Sequence, residues 1–285
     1  MNTAVFICTH GRPDTQHTLK TLRDSGYTGK IYLVLDDEDE TYPYYHHNLG
    51  YCDDIWEFNK QFYIDKSDTG TNENQRKCIL YAKNCCEDLA QNMKLDAFVI
   101  ADDDILNFRF RYVEDGHLKS QKVLSTMDDI MDAYYKAMLD CNMVATGFGF
   151  TQFYFSGSDS FSSDNIQKYR VPYNFVFRNA KHKVDWMSWF GEDIITAVYY
   201  GRIGQLWTAL PYVQQEIVSL ASADGGMKDT YDSNSSVRLA MQNVMYLPAE
   251  LKAYQYKGKY MASIKRENAF PKLISSSFKK NKNVI

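Results

Sequence analysis

The run Phe98-Val99-Ile100-Ala101 leads directly into Asp102-Asp103-Asp104. Consecutive apolar residues without polar alternation fit a strand covered on both faces, and such strands belong to α/β layers with helices on either side. Three carboxylates then stand at the carboxyl end of that strand. The same pattern recurs upstream. Val5-Phe6-Ile7-Cys8 and Ile31-Tyr32-Leu33-Val34-Leu35 read as strands, and Ile55-Trp56-Glu57-Phe58 as a short one. Residues 16–25, with Leu19 and Leu22 on one face and Gly26 at the end, read as a helix. Residues 74–93 read as a longer one, with Ile79, Leu80, Ala82, Cys86 and Leu89 roughly periodic. Strand and helix alternate through the first half, which predicts an α/β fold: a mostly parallel, Rossmann-like sheet flanked by helices.

The second half is less regular. Residues 127–141 read as a helix, 144–155 as aromatic, Gly-bearing strands, 156–163 as a loop, 174–178 as a strand, 191–200 as a helix, and Asp224-Gly225-Gly226 as a turn. No internal repeat and no clear linker divides the 285 residues, which suit one domain. At 45% hydrophobic and 24% charged, the chain can bury a core. Its 22 tyrosines suit either binding surfaces or core and sheet positions.

Cys8, Cys52, Cys78, Cys85, Cys86 and Cys141 show no CxxC pair, so reduced and mostly buried thiols are expected. No basic and then apolar leader precedes the first strand, and no apolar run nears the roughly 20 residues that span a bilayer. The expectation is a cytoplasmic protein with no membrane insertion. Net charge is −4, but nine of the basic residues and only two of the acidic ones fall from Glu250 onward. A polyanion partner or a solvated, frayed terminus would each account for that excess.

Ligands of open α/β sheets bind beyond the carboxyl ends of the strands. That rule selects Thr9, His10, Gly11 and Arg12 after the first strand, Asp36 and Asp37 after the second, and Asp102, Asp103 and Asp104 after the fourth. Clustered carboxylates repel one another, and a hard cation such as Mg²⁺ or Mn²⁺ supplies the counter-charge while leaving positions for phosphate oxygens. A solvated acidic turn is the alternative. Strand alternation sends Asp102 and Asp104 to one side and Asp103 to the other. The segment Thr69-Gly70-Thr71-Asn72-Glu73-Asn74-Gln75-Arg76-Lys77 precedes the long helix. Gly70 there permits close backbone approach, and Arg76 can pair with phosphate.

In order and spacing, the segments around Thr9-His10-Gly11-Arg12-Pro13, Asp36-Asp37, Gly70 to Arg76 and Asp102-Asp103-Asp104 resemble the GT-A glycosyltransferases over roughly the first 110 residues. The resemblance implies residues 1–110 as the nucleotide-sugar-binding half, 111–249 as the acceptor-side half and 250–285 as a basic C-terminal segment. It implies a nucleoside-diphosphate sugar, UDP-linked, contacted by Thr9, Arg12, Asp36, Asp37, Gly70, Arg76, Asp102 and Asp103. Asp102 and Asp104 would hold Mn²⁺ or Mg²⁺, with His182 as a candidate third ligand. Lys77 stands where many members carry Asn. Gly191-Glu192-Asp193 resembles the acceptor-side element whose carboxylate faces the acceptor hydroxyl, which makes Asp193, and next Glu192, the candidate base.

In size, in its Asp-Asp-Asp form and in the Gly-Glu-Asp element, the chain also resembles phage-type glycosyltransferases of hydroxymethylated pyrimidines, including the group associated with TET/JBP-type base oxidation. That resemblance implies 5-hydroxymethylcytosine in double-stranded DNA as acceptor and the host cytoplasm as location if the chain is phage-encoded. The basic segment and Tyr254, Tyr256 and Tyr260 would contact the DNA. A surface glycan, lipopolysaccharide or protein acceptor stays open, as does a non-catalytic nucleic-acid-binding module. Nucleotidyl transfer fits less well, since only Gly11 and Arg12 stand in the loop after the first strand.

Overall fold

The computed structural model describes residues 1–161, 170–218 and 234–269. The strands read in the first half are present as β1 (Thr3–Cys8), β2 (Ile31–Asp36), β3 (Asp54–Phe58) and β4 (Ala97–Asp102). They lie side by side in the order β3-β2-β1-β4, all parallel. Cys8 of β1 stands opposite Asp102 of β4, so the loop after β1 and the acidic triplet leave the sheet together.

Beyond β4 the chain adds β5 (Ile105–Glu114), β6 (His117–Lys122), β7 (Ala145–Gly149), β8 (Phe175–Asn179) and β9 (Trp207–Ile217). Among the described residues the sheet has nine strands in the order β3-β2-β1-β4-β8-β7-β9-β5-β6. β8 runs antiparallel to β4 and β7, β9 runs parallel to β7, and β5 runs antiparallel to β9 and β6. The β5–β6 hairpin went unread in the sequence although its signal is there. Asp115 and Gly116 both have positive φ, 51° and 74°, as a two-residue type I′ turn requires.

Helices α1 (His17–Asp24), α2 (Lys60–Lys66), α3 (Leu80–Asn92), α4 (Met127–Asp140), α5 (Glu192–Arg202) and α6 (Ser236–Tyr246) complete the layers, with a short helix at Arg266–Ala269. Alternation along β4 divides the core. Phe98 and Ile100 pack with Leu80, Cys86, Leu89, Ile195 and Val198 of α3 and α5. Val99 and Ala101 pack with Leu19, Leu22, Met131, Tyr135 and Met138 of α1 and α4. A buried ion pair ties α3 to β8: Arg178 Nε donates to Glu87 Oε1 at 2.7 Å, both residues being at most 2% exposed. Arg178 also donates to the carbonyls of Val144 and His182, and Trp186 Nε1 donates to Glu87 Oε1, so the buried charges are hydrogen-bonded throughout.

Several expectations need correction. The helix read from Asn74 starts at Leu80. The polar side chains ahead of it compete for backbone groups: Thr69 Oγ1 donates to the Thr71 carbonyl, and Thr71 Oγ1 accepts from the Glu73 N–H. The strand read over 144–155 stops at Gly149, and Thr151–Tyr154 and Gly157–Phe161 are 3-10 turns. Cys141 is exposed, while the six cysteines are free thiols as expected. The turn at Asp224-Gly225-Gly226 and the lysines from Lys272 onward lie outside the described residues. Among the described residues no helix is long and apolar enough to cross a membrane.

Candidate active site

After β1 the chain builds a wall. Thr9 Oγ1 donates to Asp103 Oδ2 at 2.6 Å and accepts from Gln16 Nε2 at 2.8 Å. Arg12 Nη1 donates to Asp103 Oδ1 at 2.7 Å, and the Arg12 N–H donates to the Tyr45 hydroxyl at 2.8 Å. Asp103 is 4% exposed. Thr9 and Asp103, read as ligand contacts, bond to one another, and Asp103 also holds Arg12. The alternation that turns Asp103 away from Asp102 brings it to the loop after β1. Arg12 lines an open pocket of ≈ 310 Å³ with Gly11, Thr15, His17, Asp103, Asp104 and Val218.

After β2, Asp36 accepts from Lys60 Nζ at 3.1 Å and lies 3.1 Å from His10 Nδ1. Lys60 also pairs with Glu38 at 3.3 Å, and Arg76 closes the row, with Nε on Glu38 Oε1 at 3.0 Å and Nη1 on Gln61 at 2.8 Å. Arg76 thus joins the Asp36 network across the end of β2 and does not stand at a helix N-terminus. Asp37 stands beside this row. Its carboxylate accepts from Asn59 Nδ2 and from the Lys60 N–H at 2.9 Å, which ties down the start of α2.

The other side of β4 carries a second set of charges. Lys83 on α3 donates to Asp193 Oδ1 at 2.6 Å and Glu192 Oε1 at 2.8 Å, both in the first turn of α5, and is 2% exposed. Its ammonium lies 4.7 Å from the Trp186 ring centroid. Asp102 faces this cluster and accepts from Asn174 Nδ2 at 2.7 Å. Burial opposes the charge on Lys83, but Asp193, Glu192 and Asp102 together outweigh it and raise its pKa well above the ordinary lysine value. The carboxylates outnumber the ammonium. Burial pushes Asp193 up from 3.8 to about 6, with Lys83 pulling it down and Glu192 adding to the rise. Burial raises Asp102 well above the ordinary range, Lys83 opposes, and Asp104, Asp193 and Glu192 add to it.

The Gly70 segment joins the two sides. The N–H groups of Ser188 and Trp189 donate to the carbonyls of Asp68 and Thr69 at 2.8 and 3.0 Å. Helix α6 lies over this junction: Gln242 Nε2 donates to the Gly70 carbonyl at 3.2 Å and Tyr246 OH to Asp68 at 2.5 Å. Gly70 has φ 69°, and a Cβ there would lie 2.6 Å from the Tyr246 ring. Gly70→Ala is expected to cost about 1–2 kcal/mol in a denaturant midpoint experiment, because an L side chain pays for the left-handed backbone before any clash is counted. An unchanged midpoint would mean the loop can move off α6.

His182, the candidate third metal ligand, lies at the other end of the strand from Asp102. β8 runs antiparallel to β4 with Asn179 opposite Ala97, so the chain leaves β8 at the amino end of β4. Asp102 is five residues further along, roughly 16 Å at strand rise. His182 Nε2 lies 3.1 Å from Asn142 Oδ1. Among the described residues no three His, Cys, Asp or Glu side chains converge to hold an ion. Asp102 and Asp104 nevertheless suit one. Asp104 Oδ1 is buried without a hydrogen-bond partner, and burial, then Asp103, push its pKa up from 3.8 to about 6 against Arg12. One or two carboxylates are the usual protein share of a Mg²⁺ or Mn²⁺ site that completes its shell with phosphate and water.

The sign of the pH dependence follows. A carboxyl whose folded pKa is raised stabilises the fold below its unfolded value, and that stabilisation is lost as pH rises through the folded value. Asp104 and Asp193 thus weaken the metal-free fold between about pH 4 and about 6. A cation on Asp104 needs the ionised carboxylate, so its affinity rises over the same range. The increase in Tm on adding Mn²⁺ is expected to be several degrees larger at pH 7 than at pH 5. Equal increases would count against Asp104 as a ligand.

Lys83, Asn174 and Lys60 were missed in the sequence reading. Lys83 left a trace, for it falls on the apolar stripe of α3, three residues after Leu80 and three before Cys86. Asn174 and Lys60 left none, since their partners are set by strand order.

The carboxylates at the carboxyl end of β4 and at the head of α5 are those of a glycosyltransferase. The chain belongs to the TET-associated glycosyltransferase family, whose model matches residues 3–225. Two solved structures are among those similar to this chain. Glucosyl-3-phosphoglycerate synthase from Mycobacterium tuberculosis, in complex with Mn²⁺, uridine diphosphate and phosphoglyceric acid, is 6% identical at a TM-score of 0.46, with 92% of this chain and 86% of that one covered. Residues 1–349 of S. aureus TarS are 10% identical at 0.45, with 86% and 66% covered. Against the longer TarS chain the coverage is 86% and 40%, so this chain corresponds to part of TarS only. No curated protein matches it in sequence.

Proposed function

We propose that this enzyme transfers a sugar from a UDP-sugar to the hydroxyl of a hydroxymethylated pyrimidine, 5-hydroxymethylcytosine, in double-stranded DNA, with Mn²⁺ or Mg²⁺ held by Asp102 and Asp104. The observation that carries the reading is the meeting of Asp102 with the Lys83–Glu192–Asp193 cluster across the carboxyl end of β4. One carboxylate set suits a donor diphosphate and its cation, and the other suits an acceptor hydroxyl. The cation, when bound, supplies the counter-charge for the departing diphosphate. Asp193, held near pH 6 by burial, is poised to take the acceptor proton at neutral pH. Lys83 fixes its position and keeps Glu192 and Asp193 from repelling each other. Arg12 and the His10–Asp36–Lys60 row line the nucleotide side. The TET-associated family and the lysine-rich C-terminal segment support a DNA acceptor.

The test is a labelled-donor assay with a panel of UDP-sugars and Mn²⁺, on duplexes with and without hydroxymethylcytosine. Label is expected only on the hydroxymethylated duplex and only in the presence of metal, and Asp104→Asn is expected to abolish it. Label on neither duplex, with UDP-sugar hydrolysis intact, would redirect the acceptor to a glycan or protein. Failure to bind any UDP-sugar would sink the donor assignment.

A further inference from the structure

Strands β10 (Leu251–Tyr256) and β11 (Lys259–Ile264) form a two-stranded ribbon separate from the main sheet. They are joined by Lys257 and Gly258, with φ 47° and 78°. The ribbon lies beyond residue 225, where the family match ends.

Residues directly opposite in an antiparallel pair share a face, and successive residues alternate faces. The register pairs Lys252 with Ser263, Tyr254 with Met261 and Tyr256 with Lys259 on one face. Leu251 and Ile264, Ala253 and Ala262, and Gln255 and Tyr260 make the other. The second face packs inward at the base of the ribbon, where Leu251 is 1% exposed and Ile264 packs on the core; toward the turn it too is exposed, Tyr260 by 42%, and the Tyr260 N–H donates to Ser236 Oγ at the start of α6. The first face is left in solvent, with Tyr254 41%, Tyr256 56% and Met261 42% exposed. No Asp or Glu occurs from 251 to 265, and Lys252, Lys257 and Lys259 pair with no carboxylate among the described residues. The Lys257 ammonium lies 5.4 Å from the Tyr256 ring centroid.

Position supplies a second, independent observation. Helix α6, on which the ribbon rests, touches both halves of the candidate site. Gln242 and Tyr246 hold the Gly70 segment, Arg238 pairs with Glu73, and a Cβ on Gly191, at the head of α5, would lie 2.6 Å from Asn243 Oδ1. The ribbon is thus anchored beside the turn that carries Glu192 and Asp193.

We propose that this face, Lys252, Tyr254, Tyr256, Lys257 and Lys259, is the docking surface for the duplex DNA that carries the acceptor base. It rests on the DNA reading above. Ammonium groups with no carboxylate partner among the described residues match a row of phosphates, and tyrosine rings between them offer flat surfaces to sugars and to bases exposed when the target leaves the stack. Tyr260, expected with the other two tyrosines and 42% exposed, stands on the opposite face.

The experiment measures anisotropy of a short labelled duplex, with and without hydroxymethylcytosine, titrated with the full chain at several salt concentrations. Wild type is expected to bind. Lys252→Glu/Lys259→Glu is expected to bind roughly 30-fold more weakly at 0.1 M salt, with a log–log salt slope smaller by about two. Tyr254→Ala/Tyr256→Ala is expected to lose affinity with the slope unchanged, and Mn²⁺-dependent UDP binding is expected to stay at the wild-type value in both variants. Wild-type affinity and slope in the lysine variant would overturn the ribbon assignment and leave the DNA acceptor standing. Wild type that binds UDP but no duplex would overturn both. Binding to phosphatidylserine vesicles and not to the duplex, lost in the lysine variant, would overturn it in favour of a membrane surface.

Discussion

Lys83→Met is expected to lower folding stability by about 3–5 kcal/mol and to remove turnover, because truncating one partner of a buried charge cluster leaves the others uncompensated. The Lys83 ammonium is 2% exposed and bonds two carboxylates, with a third, Asp102, close enough to act on it. Met has a similar volume and leaves no large cavity, so the loss measures charge more than packing. A denaturant titration supplies the number. A second variant separates the electrostatic cause from a general packing defect. Adding Asp193→Asn to Lys83→Met removes one of the stranded charges and is expected to restore about 1–2 kcal/mol. If the second substitution costs further stability, the cluster is held by packing and the account of Lys83 is wrong.

Asp193→Asn alone is expected to lower kcat by about 10²–10⁴-fold, the usual contribution of a positioned general base, with donor binding nearly unchanged. Asn keeps the shape and the contact to Lys83 Nζ through its carbonyl oxygen, but cannot take a proton. Glu192→Gln is the comparison. It shares the Lys83 contact, so a merely structural role for the pair predicts equal losses in the two variants. A much larger loss at Asp193 assigns the proton to it, whereas the reverse order would move the base to Glu192. The pH profile gives a further check. With Asp193 at about 6, the wild-type rate is expected to fall as pH drops through that value, when the carboxylate is protonated. The profile should lose this limb in Asp193→Asn.

How legible the site was varies with the kind of information each residue needs. Asp102, Asp103 and Asp104 could be placed at a strand end because an apolar run followed by carboxylates can go nowhere else in a sheet covered on both faces. Glu192 and Asp193 could be placed at a helix start because Gly191 precedes them and a periodic run follows, and Gly191 has φ 69° at the cap. The start of the helix after Arg76 was read too early, at Asn74. The neighbours of Arg76 look like a capped helix in sequence, but their side chains satisfy backbone groups locally, and the helix begins only at Leu80. Tyr260 was grouped with Tyr254 and Tyr256 by proximity, and ribbon register separates them.

By itself the sequence determined which segments are buried, through their hydrophobic period, and therefore the α/β layering, the end of β4 where charge gathers and the presence of a carboxylate pair at the head of α5. Only the tertiary structure decided which charges meet. Whether β8 runs with or against β4 sets His182 near Asp102 or a strand length away, and nothing in the local sequence states that direction. That Lys83 of α3 reaches Asp193 of α5 depends on both helices lying on the same face of the sheet, 110 residues apart in the chain. Periodicity is a local property, imposed by the 3.6- and 2-residue repeats of the backbone. Charge pairing is a property of strand order and register, and exists only once the nine strands have found their places.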